Sequence, residues 1–167
     1  MFSCYKMFLP PSLTTDENRQ RIASWDYRRK LIEQRIKVVG ELLRLPYKLN
    51  SNLYLDADVV CLQEVSPLSF DDDFAFMKDL GYDGKEMFKK GRFRPATFWR
   101  SDRCEIIAPP VHKDRTLLTS FRRHGLSTKE CANWYVLDCH LQAGPQGARR
   151  VRQINEGIGA VMTLVRT

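Results

Sequence analysis

The spacing of hydrophobic positions along this chain changes several times, and each change marks an element. Between Ser24 and Pro46 the apolar residues Leu31, Ile32, Ile36, Val39, Leu42 and Leu43 recur every three or four positions. That spacing lines one face of an α-helix. Ser24 is placed to cap it, Asp26 sits in its first turn and Pro46 stops it. Asp58-Val59-Val60-Cys61-Leu62 then forms a short β-branched apolar run, the pattern of a strand buried on both faces. Next, "FDDDFAFMKDLG" (70–81) predicts a second helix, with Ser69 as its cap and Gly81 as its stop. The segments "YDGKEMF", "ATFWR", "CEIIA", "RTLLTSF" and "NWYVLDCHL" read as strands separated by polar turns. The last of them is apolar on both sides, as a central strand would be. After "QAGPQG", the run "ARRVRQINEGIGAVMTLV" predicts a final helix with Val151, Ile154, Ile158, Met162 and Val165 on one face. Gly157 and Gly159 weaken that helix without forbidding it.

The order of helix, buried strand, helix, several strands and helix predicts a layered α/β domain with a mixed sheet flanked by helices. In such folds the loops at strand ends build the site. The chain has 167 residues and no internal repeat, so it is expected to form a single domain over 1–167. No apolar run approaches the ~20 residues that a membrane span needs. "MFSCYKMFLPP" is interrupted by Lys6 and too short for a signal peptide. These features predict an intracellular, cytoplasmic protein.

The five cysteines are odd in number and none is spaced CxxC. That argues against a disulfide framework and against a zinc site. Cys61 and Cys139 lie in apolar runs and are expected to be small buried residues. The net charge of +7 suits a polyanionic partner such as nucleic acid or a phosphorylated substrate, and equally a basic solvated surface. Asp71-Asp72-Asp73 resembles a metal cluster, but acids in a helix's first turn are ordinarily partners of the helix dipole.

Two strand ends carry polar groups that ask for an explanation. Glu64 follows the apolar run at once, and burying a carboxylate there costs several kcal/mol unless something compensates it. His140 ends the run "WYVLDC". Taken singly, Glu64 could cap a loop, pair with a base or bind a cation, and His140 could be structural.

Taken together, the motifs are more specific. Trp25, Arg28 and Ile32 before and within the first helix, "ADVVCLQEV", "ATFWR" and "LDCHLQAGP…RRVRQI" occur in this order. The set resembles the endonuclease/exonuclease/phosphatase (DNase I-like) superfamily, in its deadenylase/nocturnin-like branch. The resemblance implies part of a four-layer α/β sandwich and a Mg2+-dependent phosphoesterase, with Mn2+ as a substitute metal. By the same resemblance, Glu64 is the magnesium ligand and His140 contacts the scissile phosphate. Arg150 and Gln153 match an "R-x-x-Q" pair, for which a structural role is favoured.

The resemblance also implies motifs that are missing here: a first strand ending in Asn, a later "G-D-x-N" strand and a terminal "S-D-H". The chain is thus expected to be the N-terminal half of such a domain, a fragment of a longer gene product that is inactive alone. The implied substrate is a phosphate ester, with RNA favoured by the basic charge. The alternative is a non-catalytic fragment of the same fold that binds RNA or a protein.

Overall fold

The computed structural model describes residues 24–42, 57–89, 94–125 and 133–166. The chain divides into two compact units, residues 1–56 and 57–167. In the first unit, helix α1 spans Trp25–Leu42, with Asp26 in its first turn. The Arg28 backbone N–H donates to the Ser24 carbonyl at 3.2 Å, and the Arg28 guanidinium lies 5.5 Å from the Trp25 ring centroid. The expected stop at Pro46 falls outside the described residues.

The second unit contains β1 (Val59–Val65), two short helices α2 (Phe70–Asp73) and α3 (Phe76–Asp79), β2 (Gly84–Met87), β3 (Arg94–Trp99), β4 (Cys104–Lys113), β5 (Thr116–Arg123), β6 (Trp134–Cys139) and α4 (Gly147–Val165). The strands form two three-stranded sheets, ordered β1-β3-β2 and β4-β5-β6. Every pairing among the described residues is antiparallel. The fold is therefore α/β with two antiparallel sheets and flanking helices. The single mixed sheet of the sequence reading is replaced by these two.

Side-chain alternation shows how the layers stack. Phe98 points at α2, with its ring 5.5 Å from Phe70 and 5.7 Å from Phe74. Its neighbour Trp99 points the other way and meets Phe121 of β5 at 5.6 Å. The opposite face of β5 receives α4, so β5 is buried along nearly its whole length. Sequence reasoning assigned the central position to 133–141. The central strand is β5, and β6 is half-buried at the edge of its sheet among the described residues. β1 is likewise half-buried rather than covered on both faces.

Two helix predictions change in the structure. The segment 70–81 makes two short turns instead of one helix. The Ser69 hydroxyl donates to the Asp73 carboxylate at 2.6 Å instead of capping the backbone. Asp71 pairs with Lys85 on the surface, and Gly81 adopts φ +87° at the end of α3.

Helix α4 is inverted relative to its apolar pattern. Val151 (59%), Ile158 (48%) and Val165 (55%) are exposed, and Gln153, Gly157 and Ala160 form the buried face. Gly157 permits this packing, because a Cβ there would lie 2.7 Å from Leu137 Cδ2 and 3.3 Å from Thr116 Oγ1. Gly159 faces open space. Gly159→Ala is accordingly expected to raise stability by about 0.5–1 kcal/mol, by removing a flexible helix residue. Gly157→Ala is expected to lower it by about 1 kcal/mol through overpacking, and thermal melts of both variants check the contrast.

Candidate functional site

The site lies where the ends of β1 and β6 meet between the two sheets. On β1, Leu62 pairs with Ala96 and Val65 with Arg94, so three steps on β1 answer two on β3. This is a β-bulge with one extra residue. Regular alternation puts Cys61 and Gln63 on the side facing the second sheet and turns Glu64 away from it. The bulge rotates Glu64 back, at the cost of a left-handed backbone with φ +60°. A non-glycine residue in that region carries a strain of about 1 kcal/mol or more. Gln63 and Glu64 therefore both address β6, although they are consecutive.

On β6, Asp138 and His140 are two positions apart and share a face. Each meets one of the bulge residues. His140 Nε2 lies 3.4 Å from Glu64 Oε1, and Gln63 Nε2 donates to Asp138 Oδ1 at 2.8 Å. The structure thus brings together both residues singled out in the sequence, Glu64 and His140. It corrects one point about them: Glu64 is not a buried carboxylate, since its side chain is 48% exposed. The buried carboxylate is Asp138, at 3% exposure, and its Oδ2 has no hydrogen-bond partner. Sequence reading missed Asp138 because an Asp within an apolar strand looks like an ordinary interruption. Its position two residues before His140 was the available signal.

Burial pushes the Asp138 carboxyl up from 3.8 to about 6, against the lowering effects of the Gln63 hydrogen bond, His140 and the Cys139 backbone N–H. The folded protein therefore holds this proton more tightly than the unfolded chain does. The associated stability is fully present below about pH 4 and is lost as pH rises through about 6. Asp138→Asn keeps the neutral shape at every pH. Its advantage over the parent protein is expected to grow from near zero at pH 4 to as much as about 3 kcal/mol at pH 7, read by urea titration at each pH.

The backbone around His140 is held from the other side. The His140 N–H donates to the carbonyl of Arg115, which has φ +60° in the β4–β5 turn, at 2.9 Å. Gln153 of α4 is fully buried, and both ends of its amide are used. Its Nε2 donates to Asp114 Oδ2 and its Oε1 accepts from the Gln142 N–H, each at 3.0 Å. Arg150 Nη1 donates to the carbonyls of Gln142, at 3.3 Å, and Gly144, at 2.6 Å. The Arg150–Gln153 pair thus clamps the loop after His140 onto the hairpin turn, in agreement with the structural role favoured for it.

The thiols below the site are unsuited to nucleophilic chemistry. Cys61 is half-buried, and burial first, then the Asp138 charge, pushes its thiol up to about 11. A thiol in that state is not a thiolate near neutrality. Cys139 is half-buried and is raised for the same two reasons.

A magnesium ion takes one or two protein carboxylate oxygens and completes its octahedron with water and phosphate. The half-exposed Glu64 carboxylate fits such a site. A caged metal does not fit, because among the described residues no group of three or more His, Cys, Asp or Glu is placed to hold one. Among the described residues, no helix is long and apolar enough to cross a membrane.

No protein-family description matches the sequence, and no curated protein matches it. Among solved structures, the chain is similar to the human Nocturnin catalytic domain with bound sulfate anion. The identity is 16% and the TM-score 0.48, over 78% of this chain and 52% of that one. The chain spans about half the length of that solved domain.

Proposed function

We propose that this chain carries part of the site of a Mg2+-dependent phosphoesterase acting on a phosphodiester, with RNA as the favoured substrate class. One observation carries the reading. The two residues that the sequence motifs single out, Glu64 and His140, come from different sheets and meet at 3.4 Å. Glu64 offers a solvent-facing carboxylate oxygen for Mg2+ or Mn2+. His140 Nε2 sits beside it, placed to donate to a phosphoryl oxygen as charge develops there. The metal, when bound, supplies Lewis-acid stabilisation of the phosphoryl and leaving oxygens. The Arg115 carbonyl and the Arg150–Gln153 clamp hold the His140 loop, so the donor is positioned before substrate arrives.

The test is hydrolysis of a short RNA and of bis-p-nitrophenyl phosphate by the full-length protein, with Mg2+ and after EDTA. Chelation is expected to abolish turnover and Mg2+ to restore it. Unchanged Mg2+-dependent activity in Glu64→Gln would overturn the reading.

A second reading has its own support. With no group of three metal-ligating side chains among the described residues and a net charge of +7, a non-catalytic fragment binding RNA through phosphate contacts is the alternative. Absence of turnover together with RNA affinity that falls steeply with salt would select it.

A further inference from the structure

We infer that Gln63 and Asp138 are positioning residues, whose hydrogen bond holds the β1 bulge that turns Glu64 toward His140. The inference rests on reading Glu64 and His140 as the working pair. Three observations carry it. The Gln63–Asp138 bond runs between the two sheets and lies directly alongside the Glu64–His140 approach, at 2.8 Å against 3.4 Å. The Glu64 backbone is left-handed within a bulge, a conformation that persists only when its surroundings enforce it. Asp138 is buried with one oxygen unpartnered, so Gln63 Nε2 is the side-chain donor that anchors its carboxyl. The geometry works as a clip. Gln63 fastens the first bulge residue to β6, and the extra residue that the bulge creates is then delivered to His140.

The inference separates two roles for carboxyl oxygens in the site. Glu64 faces solvent and is available to a ligand. Asp138 is buried and holds the Gln63 amide. An Asn at 138 can still accept from Gln63 Nε2, whereas a Met at 63 has no donor to give. Gln63 is exposed, so Gln63→Met removes no core side chain and takes away only the donor to Asp138.

The experiment uses the full chain with 15N-labelled histidine. The protein has three histidines, and His140→Gln identifies the His140 ring signals. Without metal, the reference is the change in the His140 ring shifts caused by Glu64→Gln. In a Gln63→Met background the same substitution is expected to produce about a third or less of that change, a double-mutant cycle read at one ring. In an Asp138→Asn background the change is expected to survive. With Mn2+ added, the concentration that broadens His140 is expected to rise about tenfold in Gln63→Met and to stay close to the parent value in Asp138→Asn. A full-sized Glu64-dependent change in Gln63→Met overturns the inference. So does an Asp138→Asn chain that loses the change as Gln63→Met does, or a parent protein whose His140 does not respond to Glu64→Gln. If Mn2+ leaves His140 unbroadened in the parent protein, the metal reading fails, and the metal-free shifts still decide the positioning role.

Discussion

Under the proposed function, Glu64→Gln is expected to lower Mg2+-dependent phosphodiester hydrolysis by about 10²–10³-fold while leaving the melting temperature nearly unchanged. The two halves of that expectation have separate causes. The Glu64 side chain is 48% exposed and contributes no packing to the core, so loss of its charge leaves folding almost untouched. Gln keeps the shape and the left-handed backbone requirement but offers only a neutral amide oxygen to a hard divalent cation. The loss therefore falls on metal affinity and on whatever the metal supplies to the transition state. His140→Ala should fall in the same range by removing the donor beside it. Because the two side chains meet at 3.4 Å and are proposed to serve one phosphoryl group, the double variant should lose little more than the worse single one. Steady-state kinetics of the four proteins over a Mg2+ series checks both statements. Multiplicative losses would place the residues in independent roles.

The largest effect on stability is expected at Phe98, in the other layer of the same sheet. Phe98→Ala should cost about 3–5 kcal/mol, a lowering of the melting temperature by roughly 10 °C. Phe98 is 1% exposed, and its ring packs against both Phe70 and Phe74. Removing it opens a cavity between β3 and α2 that the short, interrupted helices are poorly placed to fill. A loss of this size is a large share of the 5–15 kcal/mol that holds a typical domain together. The His140 ring signals should stay at their parent positions below the transition, because Phe98 points away from the second sheet. Circular dichroism melts and the histidine spectrum read the two outcomes on one sample.

The interior of this protein shows why some expectations held and others did not. Strand positions were legible because β-branched apolar runs bounded by Gly, Pro and Asp clusters have few alternatives: β6 falls within its predicted segment, and β1, β3 and β5 overlap theirs and run two or three residues beyond them. Helix α4 was legible as a helix, but its buried face was not. A stripe such as Val151, Ile154, Ile158, Met162 and Val165 ordinarily faces a core. Here close approach to Leu137 required a glycine, and the buried Gln153 amide had two partners waiting on separate loops. Backbone proximity and hydrogen-bond satisfaction outweighed the apolar pattern.

By itself, the sequence determined the α/β class, the positions of most strands, and Glu64 and His140 as the residues to watch, because those features depend on short-range pattern and motif spacing. Only the tertiary structure decided that the strands divide into two antiparallel sheets, that β5 and not β6 is central, and that Asp138 is the carboxylate hidden from water. Strand pairing and burial depend on which distant segments meet, and local periodicity is the same for an edge strand and a central one. The bulge at Glu64 belongs to the same category. One extra residue between Leu62 and Val65 has no signature in the composition, yet it decides whether Glu64 faces His140 or turns away from it.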